Sequence, residues 1–144
     1  FGKITLFFAA GSIYTASHKT EISQLDGIGR RMPWTMGAFA IGALSMIGVP
    51  PTAGFISKWY ILHGALDSGQ MLAVVVIVIS TLLNAGYFLP IVYAAFFKKP
   101  KFGSGDEHGE APLAIVIALS LTAAVTILLF FIPGVFLELA RQLI

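Results

Sequence analysis

Four apolar blocks separated by polar segments run through this chain of 144 residues. They extend from Phe1 to about Ala16, from Trp34 to about Leu66, from Met71 to Phe97, and from about Leu113 to Ile132. Crossing a hydrocarbon core takes about 20 mainly apolar residues as a helix, so the pattern predicts membrane spans. Block one is short for a span, and its opening FGKITLFFAA has no basic region ahead of the apolar run, unlike a signal peptide. It reads as a helix entered partway. Block two is too long: as one helix it would measure about 50 Å against a core of about 30 Å. Inside it lies SMIGVPPTAGFISKWY, residues 45–60. Pro50 and Pro51 lack an N–H and their rings clash with the preceding turn, so a break at Pro50, Pro51 and Gly54 resolves the excess length. The tail, 133–144, puts Phe136, Leu139 and Leu143 on one face and reads as a short interfacial helix. The expected fold is all-α: a polytopic transmembrane helical bundle of about four spans, one of them discontinuous.

Composition strengthens the membrane reading and narrows the chemistry. Hydrophobic residues make up 57% and charged residues only 11% of the chain, against about 25% charged in soluble domains. The net charge of +2 and the lack of a basic-aromatic motif give no support to nucleic-acid binding. Without cysteine there are no disulfides and no thiolate metal sites. His18, His63 and His108 are scattered, and the acidic GDEHGE at 105–110 reads as a solvated loop. No carboxylate pair, nucleophile–base set or phosphate-binding loop is visible, and Gly27 and Gly29 ahead of Arg30 read as a turn. No metal and no bound cofactor is expected.

The loops are asymmetric in charge. Lys19, Arg30 and Arg31 lie in the loop 17–33, and Lys98, Lys99 and Lys101 in the loop 98–111. With four crossings these loops share a side, while the connection around Asp67 and the tail share the other, where Arg141 is the basic residue. The positive-inside rule then puts loops 17–33 and 98–111 in the cytoplasm and the C-terminus outside.

Lys58 is the strongest chemical signal. It lies eight residues before Leu66, about 12 Å along a helix and so near mid-membrane. A lysine there costs about 2.5–3.5 kcal/mol on insertion scales, and such residues face a bundle interior or a hydrated cavity, often on an ion path. Irregular backbone at that depth is tolerated beside protein or water. The N-terminus of the second half-helix and desolvation both disfavour the ammonium, which predicts reversible proton exchange. The competing reading is a lysine that ends a short helix and snorkels to an interface. Lys3 is a second candidate, and its spacing alone leaves a flanking charge equally open. In block three, Ser80, Asn84 and Tyr87 share a helical face, and Pro90 cannot donate to the Gly86 carbonyl. They form a candidate polar pathway beside Lys58, although packing by small and polar residues is the favoured explanation. Ala38 with Gly42, and Ser120, Thr122 and Thr126 in block four, read as packing.

The stretch IGALSMIGVPPTAGFISKWYIL, from Ile41 to Leu62, resembles the membrane subunits shared by Mrp-type cation/proton antiporters and respiratory complex I. GKITLFFAAGSI at the start is similar to that family's lysine-bearing helix, and TEISQLDGIGRRMPWT to its connecting loop. STLLNAGYFLPIVYAAFF is most similar to the Mrp D subunit. The resemblance covers nearly the whole chain and weakens after about Lys99. It implies the C-terminal part of a larger fold of two inverted repeats, with Lys3 as the central relay lysine and Lys58 as the terminal proton-exchanging residue. The family's glutamate–lysine pair of the first repeat has no counterpart in these residues.

The expected function is therefore a proton-translocating subunit of a multisubunit Na+ or K+/proton antiporter, with Lys3 and Lys58 as relay, other membrane subunits and the lipid bilayer as partners, and no enzymatic chemistry of its own. The alternatives are the homologous proton-pumping subunit of NADH-quinone oxidoreductase or of a membrane-bound hydrogenase, and a purely structural membrane subunit.

Overall fold

Each apolar block becomes helix, and the polar boundaries become its ends. The computed structural model describes residues 1–18, 21–99 and 109–142. Among these the α-helices are α1 (Gly2–Ser17), α2 (Pro33–Ile47), α3 (Ala53–Asp67), α4 (Met71–Phe97), α5 (Leu113–Phe131) and α6 (Gly134–Arg141). Two 3₁₀ turns, Ile22–Leu25 and Ile28–Arg30, fill the loop between α1 and α2. Lys19, Lys101, residues 105–108 of the acidic loop and Leu143 lie outside the described residues.

The second block is two helices, as its length required. α2 begins with Pro33 in its first turn, where a missing N–H costs nothing. It stops at Gly48, whose φ of 85° lies in the left-handed region and whose N–H closes on the Leu44 carbonyl at 2.8 Å. Residues 48–52 carry the cis Pro50–Pro51 bond, and α3 starts at Ala53. α4 continues through Pro90 without interruption. Its 27 residues make about 40 Å of helix, long enough to lie along both α2 and α3. Among the described residues, α4 and α5 are the helices long and apolar enough to cross a membrane individually.

α2 is the centre of the bundle. α1 and α5 pack on it and on each other, while the C-terminal half of α4 covers it from another side. The core of Met32, Met36, Phe39, Ala95 and Leu119 sits toward the end where the 21–32 loop folds over. Along the α1–α5 seam, the buried Thr5 hydroxyl lies 2.9 Å from that of Thr122, so Thr122 packs as read from the sequence.

Gly27 and Gly29 do more than turn the chain. The Gly27 N–H donates to the Ala94 carbonyl at 2.9 Å, and a Cβ on Gly29 would stand 2.9 Å from the Ala95 carbonyl oxygen and from the Phe96 ring. The buried Asp26 carboxylate adds an ion pair to Lys98 at 3.6 Å. Glu110, read from the sequence as a solvated loop residue, instead reaches the start of α2. Its carboxylate accepts from the Trp34 N–H and from the Thr35 hydroxyl, both at 2.8 Å. A carboxylate at a helix N-terminus satisfies orphan donors and complements the macrodipole. The two basic loops are thus tied together at one end of the bundle.

Candidate functional site

The site forms where α2 ends and α3 begins. The last carbonyls of a helix have no partner within it, and an apolar bundle offers few others. Two of these carbonyls, on Met46 and Ile47, accept from the Lys58 ammonium at 3.0 and 2.9 Å. The third Nζ hydrogen goes to the Thr81 hydroxyl of α4 at 3.0 Å. All three donors of the ammonium are therefore engaged. Hydrogen bonds to a charged group contribute about 1.5–3 kcal/mol each, so three of them stabilise the ammonium where it sits. The half-buried lysine is held by its second half-helix against the end of the first.

Two glycines make that geometry sterically possible. A Cβ on Gly54 would collide with the Ser45 carbonyl, so the first turn of α3 crosses the last turn of α2 in backbone contact. One turn farther on, Lys58 then reaches Met46 and Ile47. Its stem passes over Gly48, where a Cβ would stand 2.7 Å from Lys58 Cδ. Thr52 steadies the linker by donating from its hydroxyl to the Val49 carbonyl at 2.7 Å. Pro50 and Pro51 lie in the break itself, while Gly54 lies inside α3 and works as a contact residue.

The predicted polar stripe is only partly brought to the lysine. The Asn84 amide donates to the Met46 carbonyl at a longer 3.5 Å. Ser80 and Tyr87 are exposed, and Tyr87 lines a separate cleft with Phe88 and Ile91. Thr81, which sequence reasoning missed, takes the place of Ser80. Its signal was available, since Thr81 and Asn84 are three residues apart and share a face. Lys58 and Thr81 together line an open, mainly apolar cleft of about 230 Å³ between α3 and α4, with Phe55 and Leu62 among its walls.

Lys3 stands apart. It is an exposed side chain on α1, and α1 packs on α2 and α5, whereas the Lys58 cage is built from α2, α3 and α4. The structure does not bring the two lysines together. His18 and His63 make edge contacts with Tyr14 and Trp59, respectively. Among the described residues no group of three or more metal-ligating side chains converges.

A discontinuous helix with a lysine seated in its break, in an all-helical and strongly apolar bundle, defines a membrane protein of the antiporter-like type. The chain belongs to the family described as NADH:quinone oxidoreductase/Mrp antiporter, transmembrane, whose model matches residues 1–84. It is 42% identical over 123 residues to an NADH-quinone oxidoreductase subunit N from Desulforudis audaxviator, covering 85% of this chain and 25% of that protein. It is 29% identical over 134 residues to hydrogenase-4 component B of Escherichia coli, covering 86% of this chain and 20% of that one. Its fold matches a chain of an Mrp complex from a Dietzia species with a TM-score of 0.84 at 23% identity, over 96% of this chain and 34% of the other. The chain thus spans about a quarter of the length of the curated relatives it matches. These relatives are subunits of multisubunit membrane assemblies.

Proposed function

We propose that this chain is part of a proton-translocating subunit in a multisubunit membrane assembly, with Lys58 as a residue that takes up and releases the transported proton. The observation that carries this reading is the Lys58 ammonium donating to the two terminal carbonyls of α2 and to Thr81 within the helix break. Broken helices whose free carbonyls hold a cation are a recurring device at transporter ion sites, and a lysine at that depth is costly without a function. In this reading α1, the α2–α3 pair, α4 and α5 make four crossings of the cell (inner) membrane within residues 1–132, and 133–144 lie along the interface. The loops at 17–33 and 98–111 face the cytoplasm and the C-terminus lies outside. Lys3, on the exposed face of α1, passes protons toward Lys58 through groups supplied by the rest of the subunit. The chain itself carries no bound cofactor.

The assembly is in the first reading a Na+ or K+/proton antiporter of the Mrp type, with this chain as its D-like subunit. The likeness of residues 80–97 to the Mrp D subunit supports it. The second reading, a proton-pumping subunit of an NADH-quinone oxidoreductase, is favoured by the 42% identity to a subunit N. The two are distinguished by what drives the proton. In vesicles carrying the full assembly, cation addition moves protons in the first reading and NADH oxidation in the second. In either case Lys58→Ala stops proton movement while the assembly forms normally. Unchanged proton movement in that variant removes Lys58 from the mechanism.

A further inference from the structure

Ser45 is buried in the last turn of α2, immediately before the two residues whose carbonyls hold Lys58. Two helices press on it. On one side lies Gly2 of α1, where a Cβ would stand 2.8 Å from Ser45 Oγ and 2.9 Å from Ser45 Cβ. On the other lies Gly54 of α3, where a Cβ would collide with the Ser45 carbonyl and stand 3.0 Å from the same hydroxyl oxygen. Gly42, one turn earlier in α2, lets α1 come this close, since a Cβ there would stand 3.1 Å from the Gly2 carbonyl oxygen. The α1–α2 and α2–α3 contacts therefore meet on one serine, with no room for a methyl group on either side. Each contact leads to a lysine: Lys3 follows Gly2 directly, and Lys58 lies one turn beyond Gly54.

Close-packed contacts transmit a displacement rather than absorb it. The turn that carries Ser45 can pass one on, because the carbonyls of a last helical turn have no partner in the helix's own ladder. Those of Met46 and Ile47 accept from Lys58 instead. We infer that Ser45 is a positioning residue that joins the helix bearing Lys3 to the cage of Lys58. Where α1 stands against Ser45 sets where the Met46 and Ile47 carbonyls stand around Nζ. The inference rests on the reading that Lys58 exchanges protons. It links the two lysines although their side chains do not meet: a movement of α1 changes how the ammonium is held.

The test uses proton flux through the full assembly in vesicles, measured across a range of pH. Wild type is compared with Gly2→Ala, with Gly2→Ala combined with Ser45→Gly, and with Lys58→Ala. The methyl group of Gly2→Ala pushes on Ser45, and Ser45→Gly removes the two atoms it meets. Among the described residues no charged side chain pairs with Lys58, so a displaced cage changes the pH dependence of its proton exchange. The inference predicts that Gly2→Ala lowers flux about a hundredfold, as a misplacement of about 1 Å away from the chemistry can do. It also predicts that the pH of half-maximal flux moves, and that the double variant restores both. If Gly2→Ala fails to assemble, Ser45→Thr adds a methyl group from the other side of the contact and gives the same comparison. Wild-type flux in Gly2→Ala, with Lys58→Ala inactive, overturns the role of Ser45 and leaves that of Lys58 standing. Lower flux with an unmoved pH profile also overturns it, because a packing role alone predicts that result, and so does a double variant as slow as Gly2→Ala. A wild-type rate in Lys58→Ala overturns the underlying reading instead.

Discussion

Gly54 lies so close to the Ser45 carbonyl that no side chain fits between them. This crossing decides where α3 stands relative to the end of α2, and hence where Lys58 reaches. Gly54→Ala forces the helices apart. Overpacking of a tight contact costs about 1–3 kcal/mol, and the displaced α3 carries Nζ away from its carbonyls. The variant is expected to melt at lower temperature in detergent and to lose proton flux even where it assembles. A wild-type melting temperature and flux would show that the crossing tolerates a methyl group.

Glu110 ties the start of α5 to the start of α2. Glu110→Ala removes the acceptor for the Trp34 N–H and the Thr35 hydroxyl, and losing a helix N-cap costs about 0.5–2 kcal/mol. Hydrogen exchange at the Trp34 amide should accelerate, with Glu110→Gln falling between the alanine variant and wild type because an amide oxygen still accepts. Unchanged exchange in Glu110→Ala would contradict the cap.

Lys99 and Gln70 lie at opposite ends of α4. In a cysteine-free chain, a single cysteine at either position reports its side of the membrane. Reagent added from the cytoplasmic side should label Lys99→Cys, and reagent added from outside should label Gln70→Cys. The reverse pattern would invert the orientation derived from the basic loops.

The helices and the break were legible in the sequence because their signals are local. Apolar runs bounded by polar residues mark α4 at Met71–Phe97 and α5 to within a residue. Length arithmetic required an interruption in block two, and the prolines supplied it. The place of Lys58 in the helix after the break followed from the same arithmetic. Its partners did not, since Met46 and Ile47 contribute backbone carbonyls, which any residue type carries. The polar stripe failed at Ser80 for a related reason. Periodicity shows which residues of α4 share a face, but the position of α2 decides which face meets the lysine, and that selected Thr81 with Asn84. Glu110 and Trp34 are 76 residues apart, and an acidic loop has no local mark that distinguishes a cap from a solvated charge. The terms that oppose a buried ammonium are local to α3, whereas the oxygens that accept from it come from α2 and α4.

The measurement that tests the account most directly is proton flux through the complete assembly carrying Lys58→Met. Methionine keeps an unbranched, flexible side chain in the cleft and removes Nζ, so helix packing is disturbed least. The account predicts an assembly of normal composition that moves no protons under either driving force, cation gradient or NADH oxidation. Wild-type flux through the methionine variant would contradict it.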